Sequence, residues 1–168
     1  MKLQNFLLRY SLMVILGVFL SVFYNVFTPL TIYPLAWLLS IFFNTSISGN
    51  ILNANTTAIS IIGACVAGSA YYLLFILNMS TPGINLGKRL FIFLADSFVF
   101  LACNILRIFI LAVLLVNNSE IFDTAHLFFW YFVSIILVAA IWLATIKIFK
   151  IKSIPFVSDF KSLRKKLR

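Results

Sequence analysis

From position 90 to position 116 the chain runs for 27 residues with two charged side chains, Asp96 and Arg107. A helix of ~20 mostly apolar residues covers the ~30 Å of hydrocarbon in a bilayer. In lipid a segment must satisfy its own backbone N–H and C=O groups, which leaves helix as the expected form. Three further segments meet the same criterion, roughly residues 7–27, 59–79 and 126–146, the last opening at His126 or Leu127. A fifth apolar stretch, 31–43, is shorter and holds Pro34, so a short interfacial or re-entrant helix is expected there. The expected fold is an all-α integral membrane protein, a bundle of about four transmembrane helices plus that interfacial helix. Residues 1–168 form one membrane domain. Composition agrees: the chain is 63% hydrophobic and 10% charged, too apolar for a soluble domain of 168 residues to cover with polar groups.

The distribution of charge orients the bundle. Lys2 and Arg9 precede the first segment, Lys88 and Arg89 separate the second from the third, and eight Lys or Arg residues follow the fourth, from Lys147 to Arg168. With four spans all of them fall on one side, and the intervening loops 28–58 and 117–125 hold no Lys or Arg. The positive-inside rule then places both termini in the cytoplasm. A fifth span at 31–43 would export the basic tail, 147–168, against that rule. The net charge of +9 is therefore an orientation signal with contact to anionic headgroups, and not a nucleic-acid footprint. The N-terminal segment resembles a signal peptide, but its apolar run is long and no small-x-small cleavage site follows, so a retained anchor is expected. The outer stretch 44–60, "NTSISGNILNANTTAIS", mixes β-branched residues with Gly and Asn turn signals and fits a small hairpin over the membrane. Asn44, Asn55 and Asn117 stand in N-x-S/T sequons on that side, which permits glycosylation.

Twelve of the thirteen basic residues serve topology; Arg107 does not. A charge that deep costs roughly 2.5–3.5 kcal/mol on insertion scales, so such residues face a bundle interior and mark function. The bland alternative is a guanidinium satisfied by backbone carbonyls and snorkelling outward. Asn104, at i−3, lies beside Arg107 and is placed to orient it. Asp96 shares the helix face of Arg107 but lies ~16 Å away along the axis. Cys65 sits in "IIGACVAGSAYY" among small residues that let helices approach closely; alone, it also fits a buried apolar thiol. His126, the single histidine, stands at the outer mouth of the fourth span. Topology brings Cys65, Arg107 and His126 to the outer half of the membrane on three spans. Cysteine beside histidine makes a thiolate nucleophile, and an arginine can stabilise the oxyanion formed when it attacks a carbonyl. Cys103 is deeper in apolar surroundings, where a thiolate is disfavoured, and is read as packing.

Taken together, "GACVAGS" (63–69), "NILR" (104–107) and "TAHLFF" (124–129) resemble, in order, spacing and alternating topology, the exosortase/archaeosortase family of membrane transpeptidases. The resemblance covers residues 59–146. It differs where the family cysteine is commonly followed by Thr or Ser and then Gly; here Val66 and Ala67 precede Gly68. The resemblance implies a cysteine protease and transpeptidase of the cytoplasmic membrane with its site on the extracytoplasmic side. Its substrates would be exported proteins carrying a C-terminal sorting signal: a short motif, a hydrophobic span and a basic tail. Cys65 would be the nucleophile, His126 the general base and acid, Arg107 the oxyanion or carboxyl-positioning group, and Asn104 its support. A lipid acceptor would resolve the thioester, and no cofactor or metal is implied. Two other readings stand beside it. One is a non-catalytic transporter or assembly subunit with a polar pathway at Asp96 and Arg107. The other is a thiol–disulfide oxidoreductase, which lacks a CxxC and would need a Cys65–Cys103 disulfide.

Overall fold

The computed structural model describes Ser11 and residues 20–81 and 84–151. Lys2, Arg9, the beginning of the expected first span and most of the basic tail lie outside the described residues. Among the described residues four helical segments are long and apolar enough to cross a membrane: Leu20–Ser40, Gly63–Ser80, Leu86–Val116 and Phe122–Ile148.

The first of these corrects the expectation of a separate interfacial helix at 31–43. Helix α1, Leu20–Ser40, passes through both Pro29 and Pro34 without a break. Proline deletes a backbone hydrogen bond, but a helix packed on neighbours tolerates it. Here Thr31, Ile32, Leu35, Ala36 and Leu39 are all buried, so the second half of α1 is held in line by a core contact and does not turn along an interface. The Thr31 hydroxyl also donates to the Phe27 carbonyl at 2.8 Å.

A second correction concerns the all-α expectation. After α1 the chain forms a three-stranded antiparallel meander, β1 Thr45–Ser48, β2 Ile51–Ala54 and β3 Thr57–Ser60, in spatial order β1-β2-β3. Gly49 and Asn55 take positive φ of 59° and 52° at the two turns, which Gly and Asn accommodate most easily. The sheet is one-sided. Leu52, Ala54 and Ile59 are buried against Leu35 and Leu39 of α1 and Ile105, Ile108 and Ala112 of the long helix below.

The remaining elements are α2 (Gly63–Val66), α3 (Gly68–Ser80), α4 (Leu86–Val116), α5 (Phe122–Phe128), a π-helical turn (Phe129–Val133) and α6 (Ser134–Ile148). The Asn85 side chain caps α4 by accepting from the Lys88 N–H. A second core lies where α1, α3, α4 and α6 meet. There Tyr71 stacks on Phe27 with centroids 3.5 Å apart and meets Phe100 edge-on at 4.9 Å.

The two ends of the bundle differ. At one end Lys88 lies over the Phe149 ring, Phe91 meets the same ring, and Arg89 donates to the Met79 carbonyl. That end collects Lys88, Arg89 and Lys147. The opposite end carries the sheet, α2 and α5, with His126 as its basic group. Apolar positions such as Phe98, Leu106, Phe132 and Ile135 are more than half exposed along the helices, which is compatible with a bundle embedded in a membrane.

Candidate active site

The second span is broken. Helix α2 is a single turn, and Ala67 takes φ 57°, ψ 42°, a left-handed conformation that ends it before α3 begins. A non-glycine residue there carries a cost of order 1 kcal/mol or more, sustained by its surroundings. The surroundings are visible at Gly68. A Cβ added there would lie 2.8 Å from the Tyr24 ring, so α1 packs directly on the backbone at the break.

The break frees the carbonyls of Cys65 and Val66, because no backbone N–H reaches them among the described residues. In an apolar setting stranded carbonyls are costly, and α4 supplies the donors. Asn104, 1% exposed, donates through Nδ2 to the Cys65 carbonyl at 2.9 Å and to the Val66 carbonyl at 3.5 Å. Arg107 donates through Nη2 to the same Cys65 carbonyl at 3.3 Å. Asn104 thus supports Cys65 directly. The expected Asn104–Arg107 contact is replaced by a carbonyl that both of them hold.

Arg107 also reaches the fourth span, donating through Nη1 to Ser134 Oγ at 2.5 Å, and Ser134 in turn donates to the Phe129 carbonyl at 3.2 Å. That carbonyl opens the π-helical turn, a feature that recurs at functional sites. The guanidinium is in electrostatic range of the Cys65 thiol and the Tyr71 hydroxyl. One half-buried cation therefore joins the backbone under the thiol to the helical segment that carries His126.

His126 lies on α5 between two rings four positions away on either side. Phe122 stacks parallel to it at 5.7 Å and Trp130 meets it edge-on at 5.8 Å. No hydrogen bond joins the imidazole to the thiol among the described residues. They share a cavity of about 170 Å³ walled by Cys65, Arg107, His126, Trp130 and strand β3. This is room for a few water-sized groups or a short run of peptide backbone, at the sheet end of the bundle.

A second, larger cavity of about 630 Å³ meets the first at Ala64, Arg107 and Trp130. It descends between α3 and α6, with Ala67, Ala70 and Leu73 on one wall and Ile135, Val138 and Ala139 on the other.

The structure sets Cys65, Arg107 and His126 around one cavity, places Asn104 on the Cys65 carbonyl, and leaves Cys103 outside both cavities. Both cysteines are free thiols, so the bond that an oxidoreductase reading requires is not formed. Asp96 belongs elsewhere. It is 3% exposed, accepts from Asn78 Nδ2 at 2.8 Å and from the Thr145 hydroxyl, and shares no bonded partner with Arg107. Ser134, Trp130 and Tyr71 were missed in the sequence. Ser134 had a readable signal, a lone hydroxyl in the apolar run "FVSIILV". Comparison with protein-family models, curated proteins and solved structures finds no match to this chain. The functional reading therefore rests on this geometry and on the motif resemblance.

Proposed function

We propose that this protein is an archaeosortase-like membrane cysteine transpeptidase. On this reading it sits in the cytoplasmic membrane with both termini inside and its active site on the extracytoplasmic side. The observation that carries the reading is the cavity shared by Cys65, Arg107 and His126, with the cysteine mounted on a broken helix whose freed carbonyl is held by Asn104 and Arg107.

The chemistry follows from the parts. His126 takes the Cys65 proton, and the thiolate attacks the carbonyl carbon of the scissile peptide bond. Arg107, whose donors outnumber its partners, stabilises the oxyanion that develops. As the C–N bond breaks, His126 returns its proton to the leaving amine and a thioester remains on Cys65. An amine-bearing acceptor, lipid-linked on this reading, then attacks the thioester, loses its proton to His126 and releases the thiolate. No cofactor or metal enters any step. The substrate would be an exported protein whose C-terminal sorting signal includes a hydrophobic span. The larger cavity between α3 and α6, continuous with the site, suits an apolar segment arriving sideways from lipid.

The test is mass spectrometry of exported proteins from cells carrying the wild-type chain or Cys65→Ala. Retention of a span-plus-basic C-terminus in the mutant alone supports the transpeptidase and names its substrates. Identical processing in both, with the mutant stably present, removes the catalytic reading and leaves a non-catalytic membrane protein.

A further inference from the structure

Strand β3 is an edge strand, and the ladder shows which of its backbone groups are free. The Ile61 N–H donates to the Asn50 carbonyl at 2.9 Å, and the register pairs Leu52 with Ile59 and Ala54 with Thr57. Hydrogen-bonded and non-hydrogen-bonded pairs alternate in an antiparallel ladder, so residues 57, 59 and 61 turn their N–H and C=O groups toward β2. Ala58 and Ser60 turn theirs off the edge. Both side chains are exposed, and no backbone partner meets either N–H among the described residues.

Natural proteins ordinarily cover or charge such an edge. Here Ala58 and Ser60 instead line the cavity that holds Cys65, Arg107 and His126. Two residues with two groups each offer up to four main-chain hydrogen bonds to an extended chain, independent of its side chains. Beneath them Ile59 is buried in the core, and β2 pairs with β3 along its full length, so the edge is fixed in place.

We propose that β3 is the substrate-recognition edge: the extended segment flanking the scissile bond pairs with Ala58 and Ser60 as a fourth strand. This rests on the transpeptidase reading above and specifies how its substrate is held. Strand addition orders the peptide by backbone contacts, lays its next residues across the mouth of the cavity and presents a carbonyl to Cys65. It also gives the sheet a task, since a fixed strand holds the scissile bond while the substrate's apolar segment stays in lipid.

The test substitutes Ser60→Pro, which removes an outward N–H without touching the ladder to β2. It is compared with Ser60→Ala, which loses the hydroxyl and keeps the N–H. Processing of the exported proteins that accumulate in Cys65→Ala cells is measured for each full-length variant, and Cys65 alkylation by iodoacetamide reports an intact site. The expected result is processing about fivefold or more slower in Ser60→Pro than in Ser60→Ala, with equal alkylation. Equal processing in the two variants overturns the edge and leaves the transpeptidase standing. Unchanged processing in Cys65→Ala overturns both. Should Ser60→Pro fail to fold, hydrogen exchange decides on Cys65→Ala protein, using a synthetic peptide that spans a cleavage junction found in those cells. Slowed exchange at Ala58 and Ser60 supports the edge; a bound peptide that leaves both amides unchanged refutes it.

Discussion

Replacing Asn104 with leucine removes two hydrogen bonds from a buried site at nearly constant volume. Asn104 is 1% exposed and is the strongest donor to the Cys65 carbonyl, at 2.9 Å, and the sole donor to that of Val66 among the described residues. In Asn104→Leu the Cys65 carbonyl keeps only the longer Arg107 bond, at 3.3 Å, and the Val66 carbonyl keeps none. A buried carbonyl left without a donor costs about 1–3 kcal/mol. At ~1.4 kcal/mol per factor of ten, the unfolding equilibrium should shift by roughly 5- to 150-fold. SDS titration in mixed micelles reads this directly, and substrate processing should fall with it. Arg107→Gln in the same background gives a sharper check. Both residues hold one carbonyl, so their effects should depart from additivity by about 0.5 kcal/mol or more. Wild-type stability in Asn104→Leu, or strict additivity in the double variant, refutes the idea that α4 holds the cysteine by its backbone.

Four further outcomes are expected. Ser134→Ala should leave the bundle folded but slow processing, by about tenfold or less, because Arg107 loses its anchor on the fourth span. Gly68→Ala should destabilise by about 1–3 kcal/mol through the clash with the Tyr24 ring, and Tyr24→Ala should recover part of that loss in the same unfolding titration. Thr145→Val should cost about 1–3 kcal/mol by stripping a donor from buried Asp96, while iodoacetamide still alkylates Cys65 at the wild-type rate. Cys103→Ala should process substrates as the wild type does, since that thiol lines neither cavity.

Long-range hydropathy made three of the four long apolar helices legible, those at 63–80, 86–116 and 122–148, because a 20-residue apolar run has few other stable forms; the first was expected at 7–27 and is described from Leu20 to Ser40. Arg107 and Asn104 stood out as candidate site residues for a related reason: polar groups are costly in such a run. What escaped was set by contacts. Pro34 looked like a terminator, yet Leu35 and Leu39 are fully buried and hold α1 straight across it. The meander at 45–60 was seen only as a hairpin, since its strands have four residues each and owe their order to packing on Leu35 and Ile108. The break at Ala67 had no local signature. Alanine is a strong helix former, and Ala67 turns left-handed beside the point where the Tyr24 ring lies against Gly68, a long-range contact. Asp96 looked like a partner in a pathway with Arg107, but Asn78 and Thr145 lie on helices whose register the sequence alone does not reveal.

The π-helical turn at Phe129–Val133 works as a phase shifter in the fourth span. Such a turn inserts one extra residue into an otherwise regular screw, and one residue is worth ~100° of rotation. On one side of it the helix presents His126 to the cavity; on the other, Val138 and Ile141 face the core. Deleting a single residue within the turn would restore a uniform α-helix, and because the wider turn already absorbs that residue's ~100°, His126 and Val138 would keep close to their present directions. A deletion elsewhere in the span has no such slack and would swing one face away from the other by ~100°. Relatives of this protein should therefore tolerate a one-residue gap at 129–133 better than a gap anywhere else in the fourth helical segment.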